Sequence, residues 1–204
     1  MQKNTGKSPW LLYAAILFVV TGVCVLIFVF MPILGIEAEY AISKTAPKLI
    51  KKQEVKIDKN FWIEVPKISA SAPVIANVDA FNESTYQQAL TKGVAHAAGT
   101  STPDKPGNTF IFAHSAQNWL NANRFNAVFY LLYKLDKGDK FSIWYKGKKY
   151  VYEIEVKNTV DADKVSVMND SGLGRSVTLM TCWPPGTTMQ RLIIIGKLQA
   201  ISDK

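Results

Sequence analysis

The chain is 204 residues long with a formal net charge of +8, which suits one domain and an appendage. It has two cysteines, and Cys24 lies within an apolar run, so a disulfide framework is excluded. The lysines lack the interleaved aromatic pattern that stacks on single-stranded nucleic acid, and nucleic acid is not expected as a partner.

In chain order, residues 1–9 form a short polar tail carrying Lys3 and Lys7. Trp10 to Leu34 follows, 25 residues without a charge. At about 1.5 Å per residue this exceeds a hydrocarbon core of roughly 30 Å and permits some tilt. The run is too long for the apolar core of a signal peptide, and Gly35-Ile36-Glu37-Ala38 is a poor cleavage site, so residues 10–34 read as a transmembrane signal anchor. Lys3 and Lys7 precede the span while Glu37 and Glu39 follow it. That asymmetry places the N-terminus in the cytoplasm and the rest outside a single-pass cell-membrane protein. Residues 35–54 mix Ala, Lys and Ser without a strong period and read as a juxtamembrane linker, helical in part at most. Residues 55–204 read as the exported domain. From Glu37 onward 22 basic residues stand against 16 acidic ones, a net +6 that suits an anionic envelope.

The exported part is a series of short apolar runs broken by Pro, Gly, Asn and Asp. Strands are predicted at Phe61 to Val65, Ala72 to Ile75, Thr109 to Ala113, Lys140 to Tyr145 and Lys149 to Val156. Tyr145-Lys146-Gly147-Lys148-Lys149 supplies a hairpin turn between the last two. Short helices are predicted over Ser84 to Leu90, capped by Ser84 or Asn82, and over Arg124 to Leu131. Gly93 to Gly99 reads as a small-residue turn in which His96 is hydrogen-bonded to backbone or stands beside the site. Asp161, Asp163 and Asp170 read as solvated loop carboxylates, and no metal or other cofactor is expected. Frequent turns and scarce helix point to a mainly β domain, an antiparallel barrel or sandwich.

The most informative segment comes last. Thr178-Leu179-Met180-Thr181-Cys182 is a β-forming run that ends on the one cysteine outside the apolar span. Trp183-Pro184-Pro185-Gly186-Thr187-Thr188 is turn chemistry, and Arg191 heads the apolar run Arg191 to Ile195, so a hairpin is predicted. If Cys182 pairs with Arg191 across it, their Cβ atoms stand roughly 5 Å apart, where a guanidinium can hold a thiolate or a developing oxyanion. The plain alternative is a buried structural cysteine beside a surface arginine. An unpaired cysteine in an exported domain is unusual, and a nucleophile is the leading explanation for it. Its partner base is sought between two histidines. His114, where a rigid strand gives way to a polar loop, is preferred to His96.

Thr178 to Cys182, Arg191 after a short loop, Gly107-Asn108 opening the strand that ends in His114, and Lys92-Gly93-Val94-Ala95-His96 before it together resemble the sortases. These are membrane-anchored cysteine transpeptidases of Gram-positive and related cell envelopes. The resemblance covers about Val55 to Ala200. It implies a closed, mostly antiparallel eight-stranded sortase-like β-barrel with short helices, preceded by the N-terminal transmembrane helix, and catalytic Cys182, His114 and Arg191 at one end of a groove. It also implies that Cys182 attacks the Thr carbonyl of a sorting signal similar to Leu-Pro-x-Thr-Gly, forming a thioester. His114 acts as acid and then base, and Arg191 holds the oxyanion. Thr181, through backbone or hydroxyl, and Trp183, lining the groove or stiffening the turn, are the expected substrate-binding residues.

The implied partners are surface proteins bearing a C-terminal sorting signal, an amine acceptor of the cell envelope, and the membrane through the N-terminal helix. With reference values of about 8.5 for a thiol and about 6.5 for an imidazole, thiolate and imidazolium coexist as a minority near neutrality. The pilin-polymerising lid motif and a second C-terminal span are not seen, and there is little room between Val156 and Val177 for the long helix of one subclass. An anchoring-type enzyme is therefore expected. Two other functions fit some of these residues: a cysteine peptidase that hydrolyses the same intermediate, and a non-enzymatic barrel that binds envelope polymer.

Overall fold

Two units make up the chain, residues 1–52 and 53–204. The computed structural model describes residues 9–45, 57–115, 128–168 and 171–203. Among the described residues the first unit is one helix, α1 (Pro9–Thr45). Its segment Trp10–Phe28 has a mean hydropathy of 2.8 and none of it is buried, so it is long and apolar enough to cross a bilayer. Thr21 donates its hydroxyl to the carbonyls of Leu17 and Phe18, 2.9 Å each, which satisfies its polar group within the helix. Lys3, Lys7 and linker residues 46–54 lie outside the described residues.

In the second unit eight strands close on themselves: β1 (Phe61–Val65), β2 (Ala70–Val78), β3 (Val94–Ala97), β4 (Gly107–Phe112), β5 (Lys140–Tyr145), β6 (Lys148–Asp161), β7 (Arg175–Trp183) and β8 (Gln190–Asp203). Around the barrel their order is β1-β2-β3-β4-β7-β8-β6-β5. Closure leaves no sheet edge open for pairing with other chains. Every neighbour pair is antiparallel except β2–β3 and β4–β7. The β5–β6 hairpin turns on Lys146 and Gly147, with φ of 50° and 80°. Two left-handed residues in succession give the twist that adjoining strands need, and glycine adopts the second without strain.

Alternation sorts the side chains. In β6, Tyr150, Tyr152 and Ile154 are buried while their neighbours are half-exposed. Phe141 stacks on Tyr152 at 5.4 Å and its ring comes close to Gly196 of β8, where an added Cβ would meet it at 2.5 Å. Any larger residue there would have to displace the Phe141 ring. Burial pushes the Tyr152 phenol above its usual range, so it stays neutral.

Two expectations are corrected. Residues 93–99 are not simply a turn, because Val94–Ala97 forms β3 with all four side chains buried. Both faces of this strand are covered, so no alternation marks it, and its small side chains are what the space allows. At Gly93 an added Cβ would fall 2.2 Å from the Pro73 carbonyl oxygen. Of the second expected helix, Arg124 to Leu131, residues 124–127 lie outside the described residues, and the described part is not α-helical but leads into a 3₁₀ turn at Tyr130–Lys134. The first forms as α2 (Glu83–Leu90), with the Asn82 side chain accepting from Thr85 N at 3.0 Å.

His96 is 3% exposed within β3. Its Nδ1 accepts from Asn77 N at 3.2 Å and its Nε2 donates to the Ser101 carbonyl at 3.0 Å. The ring is thus held neutral, and burial lowers its pKa. The unfolded chain gains that proton near pH 6.5 and the folded chain resists it. The stability His96 confers is therefore complete above that pH and lost as pH falls below it, by at most about 1.4 kcal/mol per unit. Urea unfolding of the full chain in mild detergent should show a lower midpoint at pH 5 than at pH 7. The drop should shrink in His96→Gln; an equal drop in both proteins contradicts this account.

Candidate active site

β4 and β7 run parallel, with Phe110 level with Thr178, Ile111 with Leu179 and Phe112 with Met180. Ala113 N continues the ladder by donating to Met180 O at 3.1 Å. The last paired residues are Phe112 and Met180, so His114 stands two residues beyond the end of β4, on the side of β7 away from β8. On the other side of β7, Cys182 pairs directly with Arg191 of β8. Cys182 and Arg191 therefore form one row across β7 and β8, adjacent strands about 4.8 Å apart, and His114 stands just past the end of β4 on the other side of β7. Residues level with one another share a face of the sheet.

That face is the outer one. Val177, Leu179 and Thr181 are buried in the barrel, whereas Met180 and Cys182 are half-buried on the other side. Lower on the same outer face, Ser176 and Thr178 donate their hydroxyls to Asn108 Oδ1 at 3.2 and 3.0 Å. Asn108 Nδ2 in turn donates to the Met168 carbonyl at 3.5 Å, so the β6–β7 connection lies over this part of the sheet. Among the described residues that connection carries only a 3₁₀ turn at Val165–Met168. Asp161 and Asp163 beside it are exposed, and Asp170 lies outside the described residues.

Arg191 and His114 are held by hydrogen bonds to neighbouring groups. Cys182 is a free thiol. Arg191 Nη1 donates to the carbonyls of Thr188 and Gln190, 3.1 Å each, which folds the guanidinium toward the β7–β8 turn. Buried Ser115 accepts from Gly186 N at 3.2 Å, tying that turn to the residue after His114. Gly186 has φ of 79°, a conformation that favours glycine. His114 Nε2 lies 3.0 Å from Gln87 Oε1 of α2, and burial lowers the pKa of its ring.

Thr181 and Trp183 are placed differently from Cys182. Strand alternation turns both away from its face. Thr181 is 2% exposed and its hydroxyl donates to the Ala113 carbonyl at 2.9 Å, so the side chain faces the core. Trp183 packs on the Tyr133 ring at 5.5 Å. Sequence reasoning missed Gln87 and Ser115. A glutamine on a short helix reads as solvent-facing and a serine after a strand as loop, so neither carried a signal.

A family model described as the sortase domain matches residues 63–199. Sortase D of Bacillus subtilis is 29% identical over 138 residues, covering 66% of this chain and 61% of its own length. Sortase SrtE1 of Streptomyces coelicolor is 27% identical over 150 residues, covering 67% of this chain and 39% of its own. The match thus spans less than two thirds of the length of either relative. Among solved structures, sortase C-1 from Actinomyces oris superposes with a TM-score of 0.59 at 25% identity, over 81% of this chain and 98% of that one.

The Thr181–Ala113 bond fixes β4 against β7 beside the row. Thr181→Val leaves the Ala113 carbonyl without its donor and should destabilise the full chain by about 1–3 kcal/mol. Thr181→Ser keeps the donor and should lose less. Urea midpoints of the two variants in detergent decide it, and equal losses would remove the hydrogen bond from the account.

Proposed function

The chain belongs to the sortase family, and from that membership we propose that it is a membrane-anchored cysteine transpeptidase of the anchoring type, acting on surface proteins with a sorting signal similar to Leu-Pro-x-Thr-Gly. The observation that carries this reading is the direct pairing of Cys182 with Arg191, with His114 just past the end of β4 on the other side of β7.

The substrate segment lies along the outer face of β4 and β7. The Cys182 thiolate attacks the carbonyl carbon of the signal's Thr, and the Arg191 guanidinium holds the oxygen as it gains negative charge. The C–N bond then breaks, His114 as imidazolium gives its proton to the leaving amine, and a thioester remains on Cys182. An amine of the cell envelope next loses a proton to the His114 imidazole and attacks the thioester carbon. The new amide forms and the thiolate leaves. Since burial lowers the His114 pKa, the imidazolium needed for the first half is scarce at neutral pH, and the competent enzyme is a minority species.

In this reading residues 1–9 are a cytoplasmic tail, 10–34 the membrane anchor, 35–54 a linker and 55–204 the extracellular catalytic barrel. The long apolar helix α1 supports the anchor.

Full chain in detergent, incubated with a labelled Leu-Pro-x-Thr-Gly peptide and excess amine, should give the ligated product and a thioester adduct on Cys182 by mass spectrometry. Cys182→Ala should give neither. Arg191→Ala should lose about 10²–10³ in rate, and His114→Ala about 10²–10⁴. Release of free acid alone would make the protein a peptidase, and acyl transfer by Cys182→Ala would remove the nucleophile assigned here.

A further inference from the structure

We propose that Gln87 is the positioning residue for His114: its side-chain carbonyl takes the Nε2 proton, which makes Nδ1 the nitrogen that exchanges protons with the substrate. The inference rests on the transpeptidase reading above and assigns the proton-carrying atom within it.

The contact is Gln87 Oε1 to His114 Nε2 at 3.0 Å, and both side chains are half-buried. Among the described residues Gln87 is the hydrogen-bond partner of the His114 ring. A carbonyl oxygen can only accept, so the proton on that side belongs to Nε2 in both the neutral ring and the imidazolium. Nδ1 is then a lone pair in the neutral ring and an N–H in the charged one, and the catalytic proton travels there.

The support beneath Gln87 is firm. Helix α2 is capped by Asn82 and buries Ala89 and Leu90, and Tyr86 meets Phe112 of β4 edge-on with ring centroids 6.2 Å apart. Phe112 is two residues before His114, so one helix packs on the strand and bonds the ring at its end.

Titratable and charged groups on the elements around the ring are Cys182 of β7, Arg191 of β8, and Glu83 and Tyr86 of α2. None of these is hydrogen-bonded to the ring, so burial and the amide act on it most directly. Burial opposes the imidazolium, while a carbonyl acceptor favours it, because a hydrogen bond strengthens when its donor is charged.

The chain has two histidines, so nitrogen-15 NMR of the full protein in detergent resolves the rings, and His96→Gln identifies the His114 signal. In the native protein neutral His114 should carry its proton on Nε2. Gln87→Met should mix the tautomers, lower the His114 pKa, and cut kcat about tenfold with KM within about twofold. Gln87→Glu should raise that pKa by about one unit. The urea midpoint of both variants should stay at the native value, separating positioning from packing. A native Nδ1–H tautomer, or a Gln87→Met protein with unchanged tautomer and pKa, overturns the proposal. The NMR needs no substrate, so its failure is distinct from failure of the peptide assay, which would sink the transpeptidase reading instead.

Discussion

The site depends on the register of one parallel ladder. β4 and β7 pair at an offset of 68 residues up to Phe112 and Met180, and the chains continue from there to His114 and Cys182, each two residues beyond. A hairpin cannot build a parallel pair, so the chain must make a long excursion first, here through β5 and β6. Closing so long a loop costs little more than closing one half its length. The demanding part is alignment. A slip by one residue would send Cys182 and His114 to opposite faces of the sheet. Two sets of hydrogen bonds oppose that slip: Asn108 with Ser176 and Thr178 at the start of the ladder, and Thr181 with Ala113 at its end. These groups are buried, and a shifted register would leave several of them unpaired.

Arg191 reaches the row by a different route. Its strand follows β7 after a short turn, so local chain geometry brings it opposite Cys182. The turn itself is bound to Ser115, and its carbonyls receive the guanidinium. Cys182 and Arg191, to which the proposal gives the roles of nucleophile and cation, thus sit on paired strands, and the proposed base, His114, follows directly on the end of β4. Rigid elements place reacting atoms more closely than loops do.

How much of this was legible in the chain follows from what each residue does. β1 and β5 alternate or carry β-branched and aromatic runs, and their ends coincide with the predicted ones. The Cys182–Arg191 hairpin was legible because turn residues sit between two apolar runs. β3 was not, since a strand covered on both faces with small side chains has no period to read. For Thr181 the sequence left backbone and hydroxyl both open, and the hydroxyl lies on the inward face, as alternation from Cys182 implies. Gln87 was invisible for a deeper reason. Its partner is 27 residues away, and a single sequence holds no record of which glutamine meets which histidine.

The choice of an amide beside His114 fits the chemistry proposed for it. A ring that must donate in one half-reaction and accept in the other works best when neither state is held too firmly. A carboxylate on Nε2 would hold the imidazolium and slow the return of the proton. No partner at all would leave burial to suppress the imidazolium and let the ring rotate. A neutral carbonyl lies between these limits: it fixes the ring and its tautomer, adds no net charge, and leaves both protonation states within reach. The same neutrality matters for Arg191, one strand beyond Cys182, since a carboxylate in the groove would compete with the developing oxyanion for its guanidinium.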